Sequence, residues 1–278
     1  SLLQDHGLSV KDIEDPWDDR KERLKAYNKS QEFYKITINS LSEVLNDYHD
    51  VNFSERYWSI ICGPWLRIFI NRLYHFWSYF ESIKVDDTTV LALPKYNLKD
   101  FVTNELVMSF YDISRTDEWN QLVIGQLAKK RGIPTKIIKG KSQNLNVNKT
   151  NAKVKKRFLV LRNFFNYLLN LITKKSIVMI ATNLNFWHKL KLMFIFRERL
   201  YFETDEFSLP VFEYDSAARK LIISSLSSSS ESDNLFESIL MEMVLLHLPT
   251  TFIEGYVETN KLATLTSLPK NPKTIMTG

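Results

Sequence analysis

The sequence predicts a helix-rich α/β protein, Rossmann-like in its alternation of strands and helices and led by a long N-terminal helical hairpin. Two long stretches near the start place apolar residues at helical spacing, and beyond them short β-branched runs alternate with further helical patterns. Only seven glycines occur in 278 residues, too few for a chain built on many tight turns or Gly-rich phosphate loops.

Asp15-Pro16-Trp17-Asp18-Asp19 opens a charged helix running to about Tyr48, with acidic residues where the macrodipole favours them. Its inward stripe is expected to be Leu24, Tyr27, Gln31, Tyr34, Ile38, Leu41 and Leu45. Ser54 caps a second helix that runs to about Ile83 and bends at Pro64, with Trp58, Ile61, Trp65, Ile68 or Phe69, Arg72, Phe76 and Phe80 on its inner face. The two form an antiparallel hairpin joined through residues 46–53.

Thr88 to Leu93 and Thr135 to Ile138 read as strands, separated by helical patterns near Leu98 to Tyr111 and Asp117 to Arg131. Lys139 to Lys155 lacks apolar periodicity and reads as an exposed loop. A helix from Lys156 to Thr173 then feeds a strand at Ser176 to Ala181, a helix at Asn185 to Phe196 and a strand at Leu200 to Phe202, in keeping with parallel βαβ connections. After the Ser-rich tract Ser224 to Ser232, Leu235 to Leu248 is a strongly apolar helix stopped by Pro249. Ile253 to Tyr256 begins another short segment, and Lys270 to Gly278 is a turn leading into a short β-type run. The chain is thus expected to comprise a hairpin, residues 1–84, packed on an α/β domain, residues 85–278, or one continuous domain of the same content. It is expected to be cut at both ends.

With 44% hydrophobic and 25% charged residues, the chain can bury a continuous core. The formal charge of +5 is spread among interspersed carboxylates. Basic runs at Lys129 to Arg131 and Lys153 to Arg157 lack the interleaved aromatics of single-strand binders, so no nucleic-acid partner is expected. The single cysteine, Cys62, sits in an apolar stretch and points to a reducing, cytoplasmic setting. Tyr57 to Phe80 is interrupted by Arg67, Arg72, His75 and Pro64, and Phe158 to Ile172 is too short to span a bilayer. Lys189, Lys191, Arg197 and Arg199 around an apolar helix suit peripheral contact with anionic headgroups at the inner membrane face. The five histidines are dispersed with no i, i+4 pair, so no metal site and no cofactor is expected.

Arg56-Tyr57-Trp58 followed by Gly63-Pro64-Trp65 breaks an aromatic helical pattern, a break that can aim rings at a sugar face or can simply be core packing around a kink. Arg56 is a cation at a helix N-terminal turn, which calls for an anionic partner, internal or bound. Asp117-Glu118-Trp119-Asn120 opens a helix, where the carboxylates serve either as first-turn acids or as a general base toward a hydroxyl. Glu254-Gly255-Tyr256 offers another carboxylate beside a ring, again with a structural alternative.

These landmarks, with Pro16 to Arg20, Phe212-x-Tyr214-Asp215, Leu248-Pro249 and Lys270-x-Pro272-Lys273-x-Ile275-x-Thr277, resemble in order a bacterial transferase family of surface-carbohydrate (capsule or O-antigen) biosynthesis, from about residue 16 to 278. Ser59 stands where an Arg is common in that family. The resemblance implies the acceptor-side, N-terminal half of a GT-B-type glycosyltransferase, whose nucleotide-sugar donor acts as co-substrate held mainly by a second half, with a glycan as acceptor. The family's catalytic stretch is expected in that second half; within this chain the residues themselves make Asp117, Glu118 and Glu254 the candidate catalytic groups, and Arg56, Tyr57, Trp58, Trp65, Asn120 and Tyr256 the candidate substrate contacts facing the cleft. Two other readings stand beside it: transfer of another activated group such as a polyol phosphate, and a noncatalytic helical module that binds a protein partner or an anionic surface.

Overall fold

Asp19 starts the first helix: its carboxylate accepts hydrogen bonds from the Lys21 and Glu22 amides, so α1 spans Arg20–His49. Asp15, expected inside that helix, instead lies before it and accepts a hydrogen bond from His75, while Trp17 donates from Nε1 to Ser78 Oγ. At the far end Asp50 adopts a left-handed φ of 51°, and the Val51 amide bonds back to the Asn46 carbonyl. The structure is a computed structural model that describes residues 13–83, 90–104, 108–138, 175–180, 187–188, 191–192, 195, 199–203, 210–226, 235–264 and 274–277. The expected loop at Lys139 to Lys155, the helix at Lys156 to Thr173 and most of Asn185 to Phe196 and Ser224 to Ser232 lie outside these residues.

The second helix of the hairpin is two helices, α2 (Glu55–Ile61) and α3 (Gly63–Ser82), divided at Cys62 with Pro64 in the first turn of α3. The antiparallel pairing appears in its side-chain register: Asn46 reaches Trp58, Gln31 reaches Arg67 and Trp17 reaches Ser78. Gly63 permits the close approach at the division, since a Cβ there would stand 2.6 Å from Tyr34 Oη. The expected stripe of α1 needs correction in its first half. Leu24 and Tyr27 are 61% and 56% exposed, and Ala26, Ser30, Phe33 and Thr37 are buried in their place. Ser30 can face inward because its hydroxyl bonds to the Tyr27 carbonyl, a satisfaction that apolar periodicity does not register.

β1 (Leu91–Pro94), α4 (Met108–Ile113), α5 (Asp117–Lys130) and β2 (Thr135–Ile138) follow, and β1 pairs with β2 in parallel. The helix expected from Leu98 to Tyr111 is a 3-10 turn at Leu98–Asp100, buried residues at 101–104 and the short α4. Tertiary bonds decide this: the Thr103 carbonyl accepts from the Thr250 amide, and Asn104 Oδ1 accepts from the Phe212 amide and the Thr250 hydroxyl. Gly132, at φ 73°, closes α5 with the Ile133 amide bonded to Ala128 and its own to Lys129. Then come α6 (Ser216–Leu226), α7 (Leu235–His247), α8 (Thr250–Ile253) and α9 (Tyr256–Thr264). The core joins residues of α1, α3, α5 and α7, from Phe33 and Leu41 through Phe69 and Trp119 to Val244.

The chain divides into two compact units. One holds residues 1–148 and 211–259, and therefore both the hairpin and the β1-β2 sheet. The other holds residues 149–210 and 260–278, with β3 (Lys175–Ile180), β4 (Arg199–Glu203) and β5 (Thr274–Thr277) in one parallel sheet of order β4-β3-β5. The protein is helix-rich with small parallel sheets. Among the described residues no helix is long and apolar enough to cross a membrane.

Candidate functional site

The first group of candidate residues forms around the turn between α1 and α2. Asn46 organises it: Nδ2 donates to the Phe53 carbonyl, while Oδ1 accepts from the Phe53 amide and from Trp58 Nε1 at 2.9 Å. Tyr57 stacks on Phe53 with centroids 4.2 Å apart, and its hydroxyl meets that of Tyr256 at 3.2 Å. His49 stacks on Tyr256 at 4.2 Å and bonds through Nε2 to the Phe252 carbonyl. Burial and the Tyr57 hydroxyl hold Tyr256 far above the ordinary phenol range, and burial pushes His49 below its ordinary value. Trp58, whose ring could face a ligand or pack in the core, is fully enclosed by these neighbours, whereas Tyr57 is half-buried and Arg56 exposed. Arg56 forms no ion pair among the described residues, so of the two kinds of anionic partner considered for it the internal one does not appear there.

A second group lies where α3 crosses the start of α5. Trp65 stacks on Phe69 at 4.8 Å, both meet Phe110, and Phe110 meets Trp119 edge-on at 5.5 Å. Trp65 and Trp119 are fully buried, so Trp65 too turns its ring to protein rather than to solvent. Thr116 caps α5, accepting from the Trp119 amide, which leaves Asp117 exposed and Glu118 partly exposed in the first turn. Tyr96 stands beside them, bonded to Gln121; burial, then the charges of Glu118 and Asp117, raise its hydroxyl above the ordinary value. Asn120 lies one turn in, with Oδ1 buried. His247 closes the group from α7, 5.3 Å from the Phe69 ring and bonded to Gln126 at 2.8 Å.

Glu254 belongs to a third group. Its two oxygens accept from Arg219 Nε and Nη2, each at 2.7 Å, and Oε1 also accepts from the Asp215 amide. Arg219 is 0% exposed; its Nη1 donates to the Leu245 and Leu246 carbonyls at the end of α7, and the Tyr214 ring lies 4.6 Å from its guanidinium carbon. Asp215 caps α6 through the Ala217 and Ala218 amides. Gly255 follows because a Cβ there would fall 2.1 Å from the Phe212 ring. The motifs around 212–215 and 248–256 thus meet at one buried ion pair, whose carboxylate is committed to its partners.

The structure therefore gathers Tyr57, Trp58 and Tyr256, and separately joins Trp65 to the α5 turn bearing Asp117, Glu118 and Asn120. Among the described residues no ring contact links those two sets, and no group of three His, Cys, Asp or Glu side chains could hold a metal ion. Sequence reasoning missed Arg219, although its position four residues after Asp215, in line with Ile222 and Ile223, marks a helix with an inward cation. Asn46, Asn104 and His247 gave no such signal.

The protein is helix-rich with small parallel sheets and carries carboxylates at the exposed start of α5. The family model described as "LIC12162 family transferase" matches residues 4–278, nearly the whole chain, and the chain belongs to that transferase family. No curated protein and no solved structure matches it.

Proposed function

We propose that the chain is the acceptor-side part of a GT-B-type glycosyltransferase, moving a sugar from a nucleotide donor to a surface-polysaccharide precursor at the cytoplasmic face of a membrane. The observation that supports this reading is the all-parallel β4-β3-β5 sheet, a strand arrangement that a doubly wound fold would use, within a member of a transferase family.

In this reading Arg56 and Tyr57 contact the acceptor, because both reach solvent at one end of α2. Asp117 or Glu118 acts as general base, taking the proton of an acceptor hydroxyl as its oxygen attacks the anomeric carbon and the nucleoside phosphate leaves. Trp58, Trp65, Asn120 and Tyr256 hold these elements in place, and Glu254 acts through Arg219. The chain's own residues supply binding and proton transfer, and the donor is a co-substrate rather than a resident cofactor.

The test is sugar transfer by the enzyme carrying this chain, assayed with a panel of nucleotide sugars. D117N or E118Q is expected to lower kcat about 10²- to 10⁴-fold with a change in the pH profile, and R56A to raise KM for the acceptor. Transfer of a polyol phosphate in place of a sugar, or full activity in all three variants, would overturn the reading.

A further inference from the structure

Asp15-Pro16-Trp17-Asp18 takes no part in the proposed transfer. It lies as a strap against the last turns of α3, just ahead of α1. Asp15 Oδ1 accepts hydrogen bonds from the Trp17 amide and from His75 Nε2, each at 2.9 Å. The Trp17 ring stands beside the same imidazole, with centroids 4.5 Å apart and planes tilted by 37°, and its Nε1 donates to Ser78 Oγ at 3.2 Å. Ser78 is itself fixed by donating to the Tyr74 carbonyl. His75, Ser78 and Tyr79 recur at i, i+3 and i+4, so one face of α3 receives the strap. Arg23 donates to the Trp17 and Asp18 carbonyls and ties the strap to α1.

This hold is polar rather than hydrophobic. Asp15, Pro16 and Trp17 are only half-buried, and Ile13, Glu14 and Asp18 are exposed. Among the described residues, Asp15 is the group that hydrogen-bonds to the His75 ring, so the strength of the contact follows the charge on that ring. An imidazolium gives Asp15 an ion pair and sets a cation against the Trp17 indole, whereas a neutral ring leaves one ordinary hydrogen bond. The other groups around His75 are Asp18 of the strap, Arg23 of α1, and Arg72, Tyr74 and Tyr79 of its own helix.

Asp15 and Tyr79 keep their protonation states while an imidazole titrates. Burial acts to raise the Asp15 carboxyl, but the hydrogen bonds from His75 and the Trp17 amide outweigh it and hold the group below its ordinary value. Burial, then the charge of Asp15, raises the Tyr79 hydroxyl, which stays protonated and bonded to that carboxylate. The proton on His75 is therefore the variable.

We propose that residues 15–18 form a proton-controlled strap: a charged His75 clamps it to α3, and loss of that proton releases Trp17 and uncovers the helix face that carries Tyr74 and Ser78. Acid that protonates Asp15 releases it again, because a carboxyl held low contributes above its ordinary value and loses that contribution as pH falls. The device goes beyond the transferase reading and stands whether or not a sugar is moved.

The experiment follows the Trp17 indole N–H of the full chain by proton-nitrogen NMR, assigned with W17F, together with the His75 ring C–H shifts, from about pH 5 to 9. Exchange of that N–H with water, corrected for base catalysis, is expected to accelerate about threefold or more as His75 loses its proton. H75Q, whose amide can still donate to Asp15, is expected to show no such step. D15N leaves His75 titrating and is expected to uncouple it from Trp17. No step in the unsubstituted chain, or a step that persists in folded H75Q or D15N, overturns the strap. Thermal melts identify a variant that has lost its fold, in which case the unsubstituted chain and the other variant decide.

Discussion

Arg219 and Glu254 face each other through two parallel hydrogen bonds of 2.7 Å, the arginine fully buried and the carboxylate nearly so. The pair ties α6 to the turn after α8 and, through the Leu245 and Leu246 carbonyls, to the end of α7. Removing one partner leaves the other charge desolvated and uncompensated. R219M and E254Q are each expected to cost about 3–5 kcal/mol, and the double variant R219M/E254Q less than the sum. Urea unfolding of the four proteins checks this, and additive losses would show that the two groups are not coupled.

Gly255 gives a steric prediction. A methyl group at this position collides with the Phe212 ring, which is anchored through its own amide to Asn104. G255A is expected to destabilise the protein by about 1–3 kcal/mol, with F212L recovering part of the loss. Gly63 differs, because its added Cβ would meet only the hydroxyl end of Tyr34. G63A should therefore be well tolerated once Y34F removes that oxygen, as thermal melts of the single and double variants would show.

His247 makes stability depend on pH. Burial, followed by the charge of Arg219, pushes its imidazole down to about 3, against an ordinary value of 6.5. The unfolded chain then holds the proton more tightly than the folded one. This contribution is complete above about pH 6.5 and is lost as pH falls from there toward about 3, by up to about 1.4 kcal/mol per unit. His49, also shifted downward, acts with the same sign. Urea midpoints should decline between pH 6.5 and 4, and more shallowly in H247F; an unchanged slope in that variant would assign the acid sensitivity elsewhere.

Asn46 carries three hydrogen bonds of the α1-α2 turn and holds the Trp58 indole. N46A is expected to cost about 1–3 kcal/mol by leaving the buried Trp58 N–H without its acceptor. Hydrogen exchange should localise the loss to residues 46–58 rather than spread it through the core.

Much of the secondary structure was legible in the sequence because it rests on local physics. The Ser54 cap, the Pro64 break, the strands at Leu91–Pro94 and Thr135–Ile138, the helix at Asp117–Lys130 and the β run ending at Thr277 are set by capping, ring constraint and β-branching, all within a few residues. The membership of distant sites was not. Apolar spacing marked Trp58 and Trp65 as distinctive, but whether a ring faces a ligand or another ring depends on which helices close over it, and here Phe53, Tyr256, Phe69 and Phe110 do so. For Glu254 the sequence left a functional and a structural role open, because its partner, Arg219, lies 35 positions away on an unanticipated helix.

The sequence by itself determined a helix-rich chain, its breaks and the types of its strands, since those follow from neighbours along the backbone. Only the tertiary structure decided which polar groups are spent on each other, as with Arg219 and Glu254 or Asn46 and Trp58, and which remain at an exposed turn, as with Arg56 and Asp117. The reason is physical: desolvation and hydrogen bonding depend on proximity in space, which no local pattern of residues encodes.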